Sequence, residues 1–376
     1  MNPVAAEEFP LDDDLIYLNH AAVGVWPKRT RDAIRAFADE NMYRGAAGYP
    51  EWMKTERALR LRLQRLVNAA SSDDIALVKN TSEALSLIAY GLDWQVGDNI
   101  VSTNQEFPSN RIVWESLKDK GVELRLADIS GADPEAAMLE LCDERTRLLT
   151  VSSVQYGTGL RMDLNRLGAF CRDRQILFCV DAIQSLGALV FDAQACHADF
   201  VVADGHKWML GPEGLALFYT HPEARDCVKL HQYGWHMVER AGDFDATEWS
   251  VASSARRFEP GSPNTLGIYA LNASLSLFED IGMAQVEKYV LENAAVLMAW
   301  VDSEPQLELI SPDQAGRFAG IVTFRHTGLD RAGHAELYRK LMAAGVICAN
   351  RAGGIRFSPH FYSSLHALDV VSKIIK

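Results

Sequence analysis

Short runs rich in branched and aromatic residues alternate with segments of helical period over most of the chain. IALVKN precedes SEALSLIAYGL, NIVSTNQ precedes SNRIVWESLKDKG, VELRLADI precedes PEAAMLELCDE and RLLTVSSVQ precedes LNRLGAFCRDR; ILFCVDA, ADFVVADG and LALFYTH follow. Runs of this kind read as strands, and the segments between them space their apolar residues as an amphipathic helix does. The alternation predicts an α/β fold, a largely parallel sheet with helices on both faces. In such sheets ligands bind beyond the carboxyl ends of the strands.

After Thr265 the pattern changes to a long helical stretch, LGIYALNASLSLFEDIGMAQVEKYVLENAAVLMAWVDSE, broken near Gly282, and then to IVTFRH, AELYRKLMAAG and IRFSPHF. This predicts a smaller α+β unit at the C-terminal end. The division expected is an N-terminal arm over 1–16, a large domain over 17–262 and a small domain over 263–376.

The ends of the expected strands carry chemistry. IALVKN leads to Thr81 and Ser82 opening a helix, NIVSTNQ to Phe107, ILFCV to Asp181 with Gln184 behind it, and FVVA to Asp204, Gly205, His206 and Lys207. Converging strand ends would gather hydroxyls at a helix start, an aromatic ring, a carboxylate and an amine in one crevice. That set suits pyridoxal 5'-phosphate (PLP). A lysine forms a Schiff base with its aldehyde, and an aspartate keeps its ring nitrogen protonated so that the ring accepts electrons. Unpaired amides at a helix start hold its phosphate, and an aromatic face stacks on the ring. Each residue also has a plain reading: Asp181, Thr81 and Ser82 as helix caps, Phe107 as core, Lys207 as a solvated charge. Convergence of all of them favours the cofactor.

Composition narrows the partners. With 37 basic against 50 acidic residues the formal charge is −13, which argues against broad attraction to nucleic acid or an anionic membrane. Six cysteines are scattered without a CxxC pair and read as reduced, buried thiols. The first twenty residues show no charged-then-apolar signal and no apolar run is long enough to span a membrane, so a cytoplasmic protein acting on a small molecule is expected. A nucleotide-binding dehydrogenase is disfavoured because no GxGxxG follows the first strand.

Taken together, YLNHAAVGVWP, NTSEA, EFPSN, VSSVQYGTG, VDAIQSLGA, ADGHKWMLGPEGLA, RFEPGSPNT and IRFSPHFYSS make a chain that resembles the class V aminotransferase and cysteine desulfurase branch of fold-type I PLP enzymes, which includes kynureninase. The resemblance implies a large domain with a mixed, mostly parallel seven-stranded sheet, a small C-terminal domain, and a homodimer with its sites at the interface. It makes Lys207 the Schiff-base lysine and Asp181 the partner of the ring nitrogen. Gln184 would bond the phenolic oxygen, Phe107 would stack on the ring, and Gln155 would lie near the cofactor. Thr81, Ser82 and His206 would bind the phosphate, with Ser262 reaching that of the neighbouring subunit. Arg356 would grip the substrate carboxylate, and Asn19 and His20 would line the substrate side.

The chain departs from this pattern at three places. Desulfurases carry a nucleophilic cysteine on a mobile loop before the substrate arginine, whereas Cys348, eight residues before Arg356, lies beside an expected strand. They place a histidine over the ring where Phe107 stands, and a serine where Asp204 stands. The EFPSN and VQYGTG segments are more like kynureninase. The activity expected is that of a PLP enzyme acting on an L-amino acid through an external aldimine, with transamination as the default. C–S or β-lyase, desulfurase-like or kynureninase-like chemistry is the alternative, and a PLP-fold binding protein without turnover a further one. For residues 225–260 a substrate lid and a dimer contact both stay open, and Trp235 and His236 are candidate pocket residues.

Overall fold

The computed structural model describes residues 7–365 and 368–375; of the expected arm, residues 1–6 lie outside the described residues. The seven expected runs form one seven-stranded sheet. Its strands are β2 (Ile75–Val78), β3 (Asn99–Thr103), β4 (Glu123–Ala127), β5 (Thr146–Ser152), β6 (Leu177–Asp181), β7 (Phe200–Asp204) and β8 (Ala216–Thr220), in the order β2-β8-β7-β6-β5-β3-β4. Only β8 runs against its neighbours; the other pairings are parallel. The sheet is therefore mixed and mostly parallel, as expected.

Strands β6, β7 and β8 are almost entirely buried because both sheet faces are covered. Side chains alternate between faces along a strand, and the two cores record it: Phe178, Val180, Val201, Ala203 and Leu217 join one, while Cys179, Phe200, Val202, Ala216 and Phe218 join the other. By the same period Asp181 and Asp204 emerge on the second face. The helix Thr81–Gly91 packs there through Ala84, Leu85 and Ile88, so its start lies beside both carboxylates.

The helix Thr265–Ile281 packs on the helices Lys28–Arg44 and Tyr49–Val67 and contributes Leu271 and Leu275 to the larger core. Gly282 (φ 85°) ends it, and the helix Met283–Ser303 leads into a second sheet with its own core. That sheet is antiparallel, in the order β12-β13-β10-β9, from β9 (Leu307–Leu309), β10 (Val322–His326), β12 (Ala349–Arg351) and β13 (Gly354–Phe357). The entering chain is tied to this unit: β1 (Ile16–Tyr17) pairs in parallel with β11 (Val346–Ile347), and Asn19 bridges to Ser358. No helix among the described residues is long and apolar enough to cross a membrane.

One glycine fixes how the two halves of the site meet. Gly187 has φ +92°, and a Cβ there would lie 2.1 Å from the Trp208 carbonyl oxygen. Gly187→Ala is expected to cost about 1–3 kcal/mol or more, through both backbone strain and the clash. Urea denaturation measures it, and an unchanged midpoint would contradict this packing.

Candidate active site

The segment after β7 is held from several sides. The Gly205 amide donates to Leu215 O (3.0 Å), Gly211 N to Gly205 O (2.8 Å) and Leu210 N to Lys207 O (3.1 Å), with Leu210 at φ 58° closing the turn. Gly24 N donates to His206 O (2.7 Å), and a Cβ at Gly24 would sit 2.1 Å from Lys207 O. Trp208 Nε1 donates to Gln184 Oε1 (2.8 Å), whose Nε2 donates to Ala21 O (3.1 Å). Lys207 is thus delivered on a backbone with little freedom.

Its side chain enters a cavity of about 240 Å³. Of the residues expected from sequence, Thr81, Ser82, Phe107, Asp181, Gln184, His206, Lys207 and Arg356 line it. Thr81 and Ser82 are the first two residues of their helix, where the amides have no partner within the helix; Asn80 caps it by accepting from Glu83 N (2.9 Å). The Lys207 amine lies 5.5 Å from the Phe107 ring centre. Phe107 is itself 40 % exposed and meets Tyr156 edge-on at 5.2 Å. Asp181 is 2 % exposed and accepts from Ile183 N at 3.0 Å. Asp204 also lines the cavity; its Oδ1 lies 3.0 Å from His206 Nδ1, although the two are not aligned as a hydrogen bond.

The other four expected residues do not line it. Gln155 is fully buried and donates to the Glu106 carboxylate (3.1 Å). His20 is fully buried, with Nε2 2.6 Å from the Tyr362 hydroxyl and Nδ1 2.9 Å from Ser358 O; burial lowers it to about 4. Asn19 stands behind Arg356, whose Nη2 reaches Asn19 Oδ1 at 3.5 Å. Ser262 is exposed, outside the cavity of its own chain. Trp235 lines a separate concavity of about 630 Å³ within 233–250. His236 sits with Glu56 and Glu259 in a metal-like cluster, but the Arg60 guanidinium, 2.6 Å from each carboxylate, already supplies the cation.

Sequence reasoning passed over Tyr156, Ser109, Glu106 and Arg351. Tyr156 O accepts from Arg356 Nη1 (2.8 Å), and Ser109 Oγ accepts from Ser82 (2.9 Å). Glu106 is buried under bonds from Ser152 N (2.7 Å), Ser152 Oγ (2.5 Å), Gln155 and Asn110; burial raises its carboxyl despite those donors. Arg351 lines the mouth.

Burial dominates the electrostatics. It lowers the Lys207 amine from the ordinary lysine range, with Asp181 opposing and Arg356 adding to the effect. It raises the Asp181 carboxyl, against the Ile183 bond and with the Glu106 charge. Arg356 is 2 % exposed, and among the described residues its Nε has no partner and none of its bonds is to a carboxylate. A buried guanidinium without a counter-ion, an amine and a carboxylate within reach of one cavity, and a helix start at its edge fit PLP and the carboxylate of an amino acid.

Residues 16–371 match the model of the aminotransferase class-V family. A probable cysteine desulfurase of Methanothermobacter thermautotrophicus is 28% identical over 98% of this chain and 96% of its own. The uncharacterised aminotransferase YcbU of Bacillus subtilis is 30% identical over 90% of this chain and 89% of its own. Among solved structures, a C-DES mutant with glycine covalently linked to its PLP cofactor has a TM-score of 0.90 at 22% identity, covering 99% of both chains. That likeness establishes the fold-type I architecture.

The sign of the lysine shift is measurable. An ammonium stripped of water gives up its proton at lower pH, so in cofactor-free protein acylation of Lys207 should rise with pH earlier than at the surface lysines. Peptide-resolved labelling across a pH series reads this, and a midpoint near the ordinary value of about 10.4 would contradict it.

Proposed function

Because the chain belongs to the class V aminotransferase family of PLP-dependent enzymes, we propose that it is a lyase that cleaves the C–S bond of a cysteine-type L-amino acid and releases the sulfur fragment to solution. The observation that carries this reading is where the thiols lie. None of the six cysteines lines the cavity. Cys348, the cysteine nearest in sequence to Arg356, is 1 % exposed in the small-unit core, and burial pushes its thiol up to about 12. A sealed, protonated thiol is a poor nucleophile, and Cys227, exposed rather than buried as expected, lies outside the cavity, so no thiol of this chain stands at the cavity to accept sulfur. A cysteine-type substrate is supported by the curated desulfurase relative.

PLP supplies an acceptor for the electron pair left when a bond to the substrate Cα breaks. Lys207, Asp181, Thr81, Ser82, His206 and Gln184 are the residues that would hold it, all of them at the cavity wall. Asp181 would be the carboxylate that keeps the ring nitrogen protonated. Arg356 takes the substrate carboxylate by paired N–H donors. The Lys207 amine, lowered by burial to about 8, takes the Cα proton. Phe107 and Tyr156 wall the site on one side. The Cβ–S bond breaks with its electron pair on sulfur, and with water the remainder leaves as pyruvate and ammonia. We include the homodimer in this proposal, with the exposed Ser262 serving a neighbouring site.

Purified protein should be yellow, and Lys207→Ala should remove both the colour and about 10²–10⁴-fold of the rate, the usual share of a lost acid–base group. With L-cysteine, assays should find pyruvate, ammonia and sulfide together, and Cys348→Ala should keep them. Loss of sulfide in a yellow Cys348→Ala protein would mean transfer to the enzyme thiol; keto acid without ammonia or sulfide would mean transamination.

A further inference from the structure

We infer that the substrate carries a second anionic group beyond its sulfur and that Arg351, at the cavity mouth, selects for it; the inference rests on the lyase reading above. Two arginines face one cavity. They lie on the hairpin β12–β13, in which Ala349 faces Arg356 and Arg351 faces Gly354. Residue 356 is two along from 354, so its side chain leaves the same sheet face as that of residue 351, and the two are diagonal neighbours. The turn between the strands, Ala352 (φ 50°) and Gly353 (φ 79°), is of the left-handed two-residue kind that fixes hairpin register.

Neither guanidinium is neutralised. Arg351 Nη1 donates to Asn350 O (2.8 Å), and Arg356 donates to Tyr156 O and Asn19 Oδ1. Among the described residues neither pairs with a carboxylate, and the charge of Arg351 contributes to lowering Arg356. The cavity's own carboxylates, Asp181 and Asp204, act on the Lys207 amine and neither is paired with an arginine; Asp181 also accepts from Ile183 N. One substrate α-carboxylate satisfies Arg356 and leaves Arg351 over.

Depth decides which part of the substrate each arginine meets. Lys207 and Arg356 are buried, whereas Arg351 and Phe107 are exposed at the rim. About 240 Å³ is less than the roughly 300–1,000 Å³ usual for small-molecule sites, and the cofactor must share it. The far end of the substrate side chain therefore leaves the closed part and passes the rim, where a carboxylate or sulfonate meets Arg351. S-carboxymethyl-L-cysteine would give thioglycolate, and S-sulfo-L-cysteine thiosulfate. In each case the fragment departs from Cβ with the bonding pair, and water converts the remainder to pyruvate and ammonia.

The test compares holoenzyme and Arg351→Gln on S-carboxymethyl-, S-sulfo- and the neutral S-ethyl-L-cysteine. It reads kcat/KM for pyruvate and, separately, the apparent Kd from ligand-induced changes in the visible spectrum. In the wild type the anionic substrates should be preferred over S-ethyl by on the order of 10-fold, the size of one charge-assisted hydrogen bond in a partly wet site, and added salt should shrink that ratio. In Arg351→Gln the ratio should fall to about 1, as expected when that bond is lost. Preference for carboxylate over sulfonate, or the reverse, identifies which anion the site takes. A wild-type ratio near 1, or a ratio that survives Arg351→Gln, overturns the inference while leaving the lyase reading intact. An Arg351-dependent preference in the binding titration without pyruvate from any substrate sustains the inference and removes the lyase reading.

Discussion

Lys207 is 8 % exposed, and its amine forms no hydrogen bond among the described residues. An ammonium in such a place costs several kcal/mol unless opposite charge accompanies it. Asp181 and Asp204 supply that charge and Arg356 works against it. The compromise is an amine that sheds its proton readily, as a group that moves protons near neutral pH must. Holding so costly an arrangement requires a backbone that cannot relax away from it. The close approaches at Gly24 and Gly187, the Trp208–Gln184 bond and the turn at Leu210 supply it.

The second requirement is a common exit for charged side chains from an apolar sheet. Period-two alternation places Asp181 and Asp204 on one face, and the helix Thr81–Gly91 covers that same face. The helix start thus sits beside the carboxylates without any long-range adjustment. The small unit completes the ring of charge from the other side through β12 and β13.

How much of this could be read from the chain follows from the range of each contact. All seven strands of the main sheet were legible because each has a local pattern, an apolar run in most and an alternation of polar and apolar residues in β4. Lys207, Asp181, Thr81 and Phe107 were legible because each closes such a run. Glu106 and Tyr156 were not, because their significance lies in partners up to 200 residues away, such as Ser152 and Arg356. His20 was assigned to the substrate side by its motif, yet its ring is occupied by Tyr362 and Ser358, 342 and 338 positions distant. No local pattern carries that information. Arg351 looked like any turn arginine until the hairpin register set it on the face of Arg356.

The pairing of β1 with β11, and of Asn19 with Ser358, also bears on biosynthesis. Residues 16–24 supply one wall of the site through Ala21 and Ala22, and Gly24 packs on the Lys207 backbone, but the strands that hold them in place lie more than 320 residues later. A chain made from its N-terminus can fold its main sheet while still on the ribosome. The wall must wait until residues 346–358 have emerged, since contacts of such separation form late. A nascent chain therefore passes through a stage in which the main sheet and the residues from Thr81 to Lys207 are in place while the wall formed by Ala21 and Ala22 is still open.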